Sequence, residues 1–302
     1  MDPIKFVSIM KSQKLSRRTA LKSLTATGMA AAASSKIAGQ LEAADIKPVK
    51  LKGNVNHSVC KWCYSDLTLE ELTLAASQFG MQSVELLNPD QFAVLKKYDL
   101  VCAMANGPGG IPKGFNRIEN HATLIEGFKR MIPQVAEAGF PNIICFSGNR
   151  EGLDDEKGIE NCAIGLKQIM KVAEQNKVTV CMELLNSKVN HKDYQCDHTE
   201  WGVELVKAVG SERFKLLYDI YHMQIMEGDV IRNIRAYHEY IGHYHTGGNP
   251  GRNEIDETQE LNYPAICKAI VETGFKGHIA QEFIPKRHPL GSLYEAVRTC
   301  DV

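Results

Sequence analysis

Four apolar runs in the second half of the chain finish on, or just after, a residue able to bind a cation. VTVCME ends at Glu183, FKLLYD at Asp219 and GHIAQE at Glu282, while IGHYHT carries His245 one residue before its end. A charge on a buried run is costly unless it is paired, and a cation shared among the four removes that cost. Three carboxylates with one imidazole make an oxygen-rich shell suited to a divalent ion such as Mg²⁺ or Mn²⁺, with zinc or cobalt as alternatives. His222 follows Asp219 by three positions and His243 precedes His245 by two. Strand alternation puts His243 and His245 on one face. Only one of them is needed as a ligand, and His243 is equally suited to packing inside the fold.

Such residues act together only if the elements carrying them end in one place. From Asn54 onward, short apolar runs alternate with stretches of helical spacing, for example Leu69, Leu72, Ala76 and Phe79, or Ile159, Cys162, Ile169 and Val172. This is the pattern of repeated βα units and a parallel sheet. Before the four runs above come four more candidate strands: NVNHSV near Asn56, QSVELL ending at Leu87, LVCAMA near Val101 and NIICFS ending at Ser147. Gly80, Gly139, Gly210 and Gly274 each stand where a helix should stop. Eight units without a GxGxxG turn predict an α/β protein with a closed (β/α)8 TIM barrel rather than an open doubly wound sheet. The barrel should occupy residues 50–302 as one domain, with its active site at the C-terminal ends of the strands.

The 302 residues are 44% hydrophobic and 24% charged, the mix of a protein that buries a large core. A net charge of −1 gives no global basic field, so neither a nucleic acid nor an anionic membrane is expected as a partner. Several of the nine cysteines lie in apolar runs and are expected as buried thiols. Cys60 and Cys63, in CKWC, have the spacing of a redox dithiol or half a zinc site. No second CxxC accompanies them, and packing is the default reading.

Residues 1–45 have a different character. Lys11 and Lys14 precede Ser16-Arg17-Arg18-Thr19-Ala20-Leu21-Lys22, and an Ala-rich, weakly apolar stretch runs from Leu24 to Ala33. This resembles a twin-arginine export signal, too short in its apolar part for a membrane span of about 20 residues. The resemblance implies an exported, periplasmic protein carried by the twin-arginine machinery, with no stable membrane anchor.

The segments MELLNSK, YDIYHMQIMEGD, HYHTGGNPGRNEID with the following LNYPAI, and IAQEFIPK resemble hydroxypyruvate isomerases and the wider sugar isomerase/epimerase group with the xylose isomerase-like barrel. The resemblance runs from about Asn54 to the C-terminus. It implies Glu183, Asp219, His245 and Glu282 as metal ligands, and His222 and Arg252 as substrate contacts. Hydroxypyruvate isomerases carry glutamine at the position of His245, where ketose epimerases typically have histidine. The implied reaction moves a carbonyl one carbon along, as in hydroxypyruvate to tartronate semialdehyde, through a metal-stabilised enediolate. Glu183 and Glu282 would be the catalytic acid/base pair. Arg252 would clamp a substrate carboxylate with its planar fork, and His222 would hydrogen-bond a substrate oxygen.

A ketose 3-epimerase, a polyol dehydratase, an oxidised-sugar lyase and a non-catalytic exported sugar-binding barrel stay open, as does a homo-oligomer. The endonucleases that share the barrel would need further metal ligands and a basic surface. Glu254 and Asp256 read as rim charges that orient Arg252 or face water. Asn106–Gly110 reads as a flexible active-site loop or turn, and Thr246–Gly251 as a loop with room to fold over a ligand. Trp62, Tyr64 and Phe115 are candidate walls of the pocket, with core or surface packing the more usual role for each.

Overall fold

Seven of the eight expected runs form strands in a computed structural model that describes residues 35–39 and 50–302. They are β1 (Asn56–Cys60), β2 (Ser83–Glu85), β3 (Asn142–Cys145), β4 (Thr179–Glu183), β5 (Phe214–Asp219), β6 (Ile241–Thr246) and β7 (His278–Gln281). All neighbours are parallel, in the order β2-β1-β7-β6-β5-β4-β3. A parallel sheet covered on both faces needs near-continuous apolar runs, which explains why these strands were visible in the sequence.

The eighth run, LVCAMA, does not make a regular strand. Residues 101–105 instead bridge β2 and β3 at isolated points, Val101 to Ser83, and Ala105 to both Leu87 and Ile143. Leu86 N–H donates to the Met104 carbonyl at 2.8 Å and Ile144 N–H to the Ala105 carbonyl at 3.0 Å, so the ring closes as a (β/α)8 barrel. Between those points side chains replace the ladder. Ala103 N–H donates to Ser83 Oγ at 2.9 Å, and the Ala103 carbonyl accepts from Asn142 Nδ2 at 2.8 Å. β2 stops short of Leu87 because Leu86 takes a left-handed φ of 57°, outside the region strands use. β3 stops short of Ser147, whose N–H goes to the Tyr194 hydroxyl at 3.0 Å.

The helices are α1 (Leu69–Gln78), α2 (Phe92–Lys96), α3 (Ile118–Ala138), α4 (Asp155–Asn176), α5 (Thr199–Val209), α6 (Ile220–Met226), α7 (Val230–Tyr237), α8 (Tyr263–Glu272) and α9 (Pro289–Cys300). Thr68 opens α1 through a reciprocal capping box with Glu71. Gly139 and Gly210 close α3 and α5 at φ values of 82° and 72°, a conformation glycine adopts at no steric cost. The Asn106–Gly110 stretch, expected as a flexible loop or a turn, is tightly packed at Gly107, where a Cβ would overlap the Ile144 carbonyl oxygen.

The barrel interior is divided. Met104, Ile144, Cys181 and Leu217 form a small buried apolar cluster. Ser58, Ser83, Glu85 and His243, fully buried as well, supply its polar part. Within the expected leader, residues 35–39 are helical, with Ile37 buried and Lys36 Nζ 2.8 Å from Glu71 Oε1. The Ser16–Lys22 motif and the Ala-rich stretch lie outside the described residues. Among the described residues, no helix is long and apolar enough to cross a membrane.

Candidate metal centre and active site

Glu183 ends β4, Asp219 ends β5, His245 lies in β6 and Glu282 directly follows β7. Each is buried, and one ligand atom from each lies within 4.8 Å of the others. The backbone fixes this meeting. Asp219 pairs with His245 in the strand register, and Glu282 N–H donates to the Thr246 carbonyl at 3.1 Å. Asp219 is also the N-cap of α6, accepting from His222 N–H at 3.1 Å, which accounts physically for the D-x-x-H spacing. Tyr194 anchors the end of β4 by donating its hydroxyl to the Glu183 carbonyl at 2.9 Å.

His245 faces two ways. Nε2 lies 2.9 Å from Glu85 Oε1, and Nδ1 lies 2.7 Å from Glu282 Oε2 and 3.5 Å from Glu183 Oε1. Nδ1 is nevertheless off the hydrogen-bonding direction and has no hydrogen-bond partner among the described residues. Burial pushes the Asp219 carboxyl up to about 8, against the pull of Arg252 and with Glu282 adding to the rise. Burial raises Glu183 too, against the pull of the neighbouring His245 imidazole. Glu282 also feels burial, but Arg252 and His245 outweigh it and hold the group well below the ordinary range. Three buried carboxylates thus share one guanidinium beside an unpartnered imidazole nitrogen. That donor set fits a divalent ion, which would relieve the crowding of negative charge and engage the free nitrogen.

A cavity of about 280 Å³ opens over this cluster. Its lining mixes the polar side chains of Glu183, Glu282, Arg252, His191, Asn106 and Trp62 with the apolar ones of Leu86, Ile111, Ile144, Phe146 and Leu185. Trp62 donates Nε1–H to Glu282 Oε1 at 2.8 Å. The Arg252 guanidinium lies between the rings of Trp62 and Tyr221, 5.2 and 5.3 Å from their centroids. Its Nη2 donates to Glu282 Oε2 at 2.6 Å and Asp219 Oδ2 at 3.1 Å. The guanidinium expected to hold a substrate carboxylate thus also engages two carboxylates of the cluster. His222 accepts from Asn186 N–H at Nδ1, 3.1 Å away, while Nε2 sits 3.7 Å from Asp219 Oδ2 without a hydrogen-bond partner. Burial, helped by Arg252, pushes its pKa well down. The ring is then neutral, with a free N–H directed at the cluster.

Other residues singled out in the sequence lie away from the cavity or serve other partners. Tyr64 is buried against Phe283, and Phe115 against Phe128 and His121, so neither walls the cavity. Glu254 neither orients Arg252 nor faces water; it is buried and accepts from Lys286 N–H, Arg287 N–H and the Ser292 hydroxyl at 2.9–3.0 Å. Asp256 pairs with Arg287 at 2.8 Å. All nine cysteines are free and buried. Burial pushes the Cys60 and Cys63 thiols well up, so neither has the thiolate character that redox exchange needs. Sequence reasoning missed Glu85 and His191. Glu85 breaks the apolar run QSVELL as the four cluster residues break theirs, a signal that was present; His191 lies in a loop and gives none.

Comparison with known proteins agrees with this architecture. A family model described as a xylose isomerase-like TIM barrel matches residues 74–299. A Homo sapiens protein named putative hydroxypyruvate isomerase is 26% identical over 232 residues, covering 74% of this chain and 78% of its own length. Among solved structures, an AP endonuclease, family 2, from Brucella melitensis superposes with a TM-score of 0.70 at 23% identity, covering 79% of this chain and 96% of its own. The IOLI protein, solved with a bound zinc atom, gives 0.64 at 16% identity, covering 82% and 95%. These two structural matches establish the fold alone.

Proposed function

Since the chain belongs to the xylose isomerase-like TIM barrel family, we propose that it is a metal-dependent isomerase converting hydroxypyruvate to tartronate semialdehyde. The observation carrying this reading is the buried convergence of Glu183, Asp219, His245 and Glu282 beneath a small cavity. At about 280 Å³ that cavity falls just below the usual ligand-site range of roughly 300–1,000 Å³, which suits a compound of sugar size or smaller. The human relative named putative hydroxypyruvate isomerase supports the same choice.

The isomerisation takes a proton from C3 and delivers one to C2, while the hydroxyl proton passes from O3 to O2. No redox partner is required. Glu183 and Glu282 both line the cavity and are the groups able to take and return the carbon-bound proton. A divalent ion held by the four residues would act as a Lewis acid toward the adjacent substrate oxygens. Arg252, fixed between Trp62 and Tyr221, steadies the Glu282 carboxylate and keeps water from that side. His222 offers its Nε2–H to a substrate oxygen.

The test is turnover of hydroxypyruvate by the chelated protein before and after Mg²⁺, Mn²⁺, Zn²⁺ or Co²⁺ is added back. Restored tartronate semialdehyde formation supports the assignment, and a folded, metal-loaded sample without turnover refutes it. His245, in place of the glutamine of hydroxypyruvate isomerases, favours a second reading as a ketose 3-epimerase, tested by epimerisation of D-fructose in the same samples. The Ser16–Lys22 motif supports export by the twin-arginine route, tested by whether an Arg17→Lys, Arg18→Lys variant stays inside the cell.

A further inference from the structure

Below the ligand cluster, the barrel holds a second set of polar side chains that the proposed reaction does not use. Glu85 ends β2 and is fully buried. Its Oε1 lies 2.8 Å from His243 Nε2 and 2.9 Å from His245 Nε2, and its Oε2 accepts from the Ser58 hydroxyl at 2.5 Å. Ser58 Oγ is 2.8 Å from Ser83 Oγ, which takes the Ala103 N–H at 2.9 Å. Glu85 is therefore held from the irregular segment that closes the barrel.

An ionised carboxylate only accepts hydrogen bonds, so both Nε2 atoms must carry protons. A neutral imidazole protonated at Nε2 has its lone pair at Nδ1. In His245 that atom is the one without a hydrogen-bond partner, 2.7 Å from Glu282 Oε2. A carboxylate behind a ligating imidazole fixes the ring and its tautomer, and losing it typically weakens metal binding 10–100-fold.

We infer that Glu85 is a positioning residue for the metal centre: by accepting the Nε2 protons of His243 and His245, it turns the His245 Nδ1 lone pair toward Glu183, Asp219 and Glu282. The inference rests on the metal-centre reading above. Cys60, Glu85 and His245 also lie close enough to hold an ion of their own. Both Glu85 oxygens are already engaged by imidazoles and a hydroxyl, however, which assigns this trio to bracing rather than to a second metal.

Two measurements test it. Nitrogen-15 NMR of the zinc-loaded full chain, labelled at histidine, should show His245 protonated at Nε2 and zinc-bound at Nδ1; protonation at Nδ1 would overturn the inference whatever any variant does. Titration with Co²⁺ should give one ion per chain, with affinity falling about 10–100-fold in Glu85→Ala. Glu85→Gln, which keeps an accepting oxygen, should recover most of that loss. Equal affinity in wild type and Glu85→Ala would overturn the inference while leaving the isomerase reading intact. Two ions per chain with a thiolate-to-cobalt absorption band would show the trio to be a metal site and overturn it as well. Loss of affinity in Glu85→Ala, with no turnover of hydroxypyruvate by the wild type, would retire the isomerase reading and keep this one.

Discussion

Replacing Arg252 with methionine should make the stability of the protein depend on its metal. The guanidinium is 12% exposed and bonds to Glu282 and Asp219, whose side chains are 4% and 0% exposed. Methionine keeps much of the apolar stem between Trp62 and Tyr221 but leaves both carboxylates without their cation. Removing one partner of a buried ion pair costs about 3–5 kcal/mol. For a domain of this size each kcal/mol lowers Tm by about 2–4 °C, so the metal-free variant should melt roughly 6–20 °C below wild type. A divalent ion at the cluster supplies the missing positive charge, and binding at 100 times Kd adds about 2.7 kcal/mol by mass action alone. Thermal unfolding followed by circular dichroism, after chelation and with excess Mn²⁺ or Zn²⁺, should show a larger metal-induced rise in Arg252→Met than in wild type. An equal rise in both would refute the argument that the guanidinium and a metal ion neutralise the same carboxylates.

Glu183→Gln and Glu282→Gln should each keep the fold while turnover of whichever hydroxy-carbonyl substrate is accepted drops by about 10²–10⁴-fold; near-wild-type kcat in either would remove that residue from proton transfer. Gly107→Ala should lower Tm clearly, because its Cβ would meet the Ile144 carbonyl where the barrel closes, and an unchanged Tm would mean that closure tolerates movement there. Neither ring nitrogen of the buried His57 has a hydrogen-bond partner among the described residues, and burial pushes its pKa down to about 4 from the ordinary 6.5. Below pH 6.5 the unfolded chain takes up a proton there that the folded chain refuses until about pH 4. The contribution of this site is therefore full above pH 6.5 and declines by about 3 kcal/mol as the pH falls to 4. Denaturant unfolding of His57→Phe across that window should show a shallower loss than wild type, and parallel curves would refute the assignment.

The carboxylate and imidazole cluster was legible because each of its members interrupts or ends an apolar run, and parallel strands bring such ends to one mouth. Glu183, Asp219, His245 and Glu282 are one another's neighbours, so finding the strand ends was enough to find the site. Residues whose partners lie elsewhere were harder to read. Glu254 stands two positions after Arg252 in sequence, yet its carboxylate serves the amides of Lys286 and Arg287. LVCAMA has the composition of a strand, but Ser83 and Asn142 take over its middle hydrogen bonds from the flanking staves.

Arg252 shows the same limit from the other side. Its guanidinium type and its place after β6 suggested a hand free for substrate, and both remain true of the residue in isolation. What it binds was decided by Asp219 and Glu282, 33 and 30 positions away, once the barrel closed. A charge on a strand end announces that it must be neutralised; which group neutralises it is a property of the closed ring. The partner of an isolated motif is thus the quantity least recoverable from spacing, and a cluster whose members answer one another is the most.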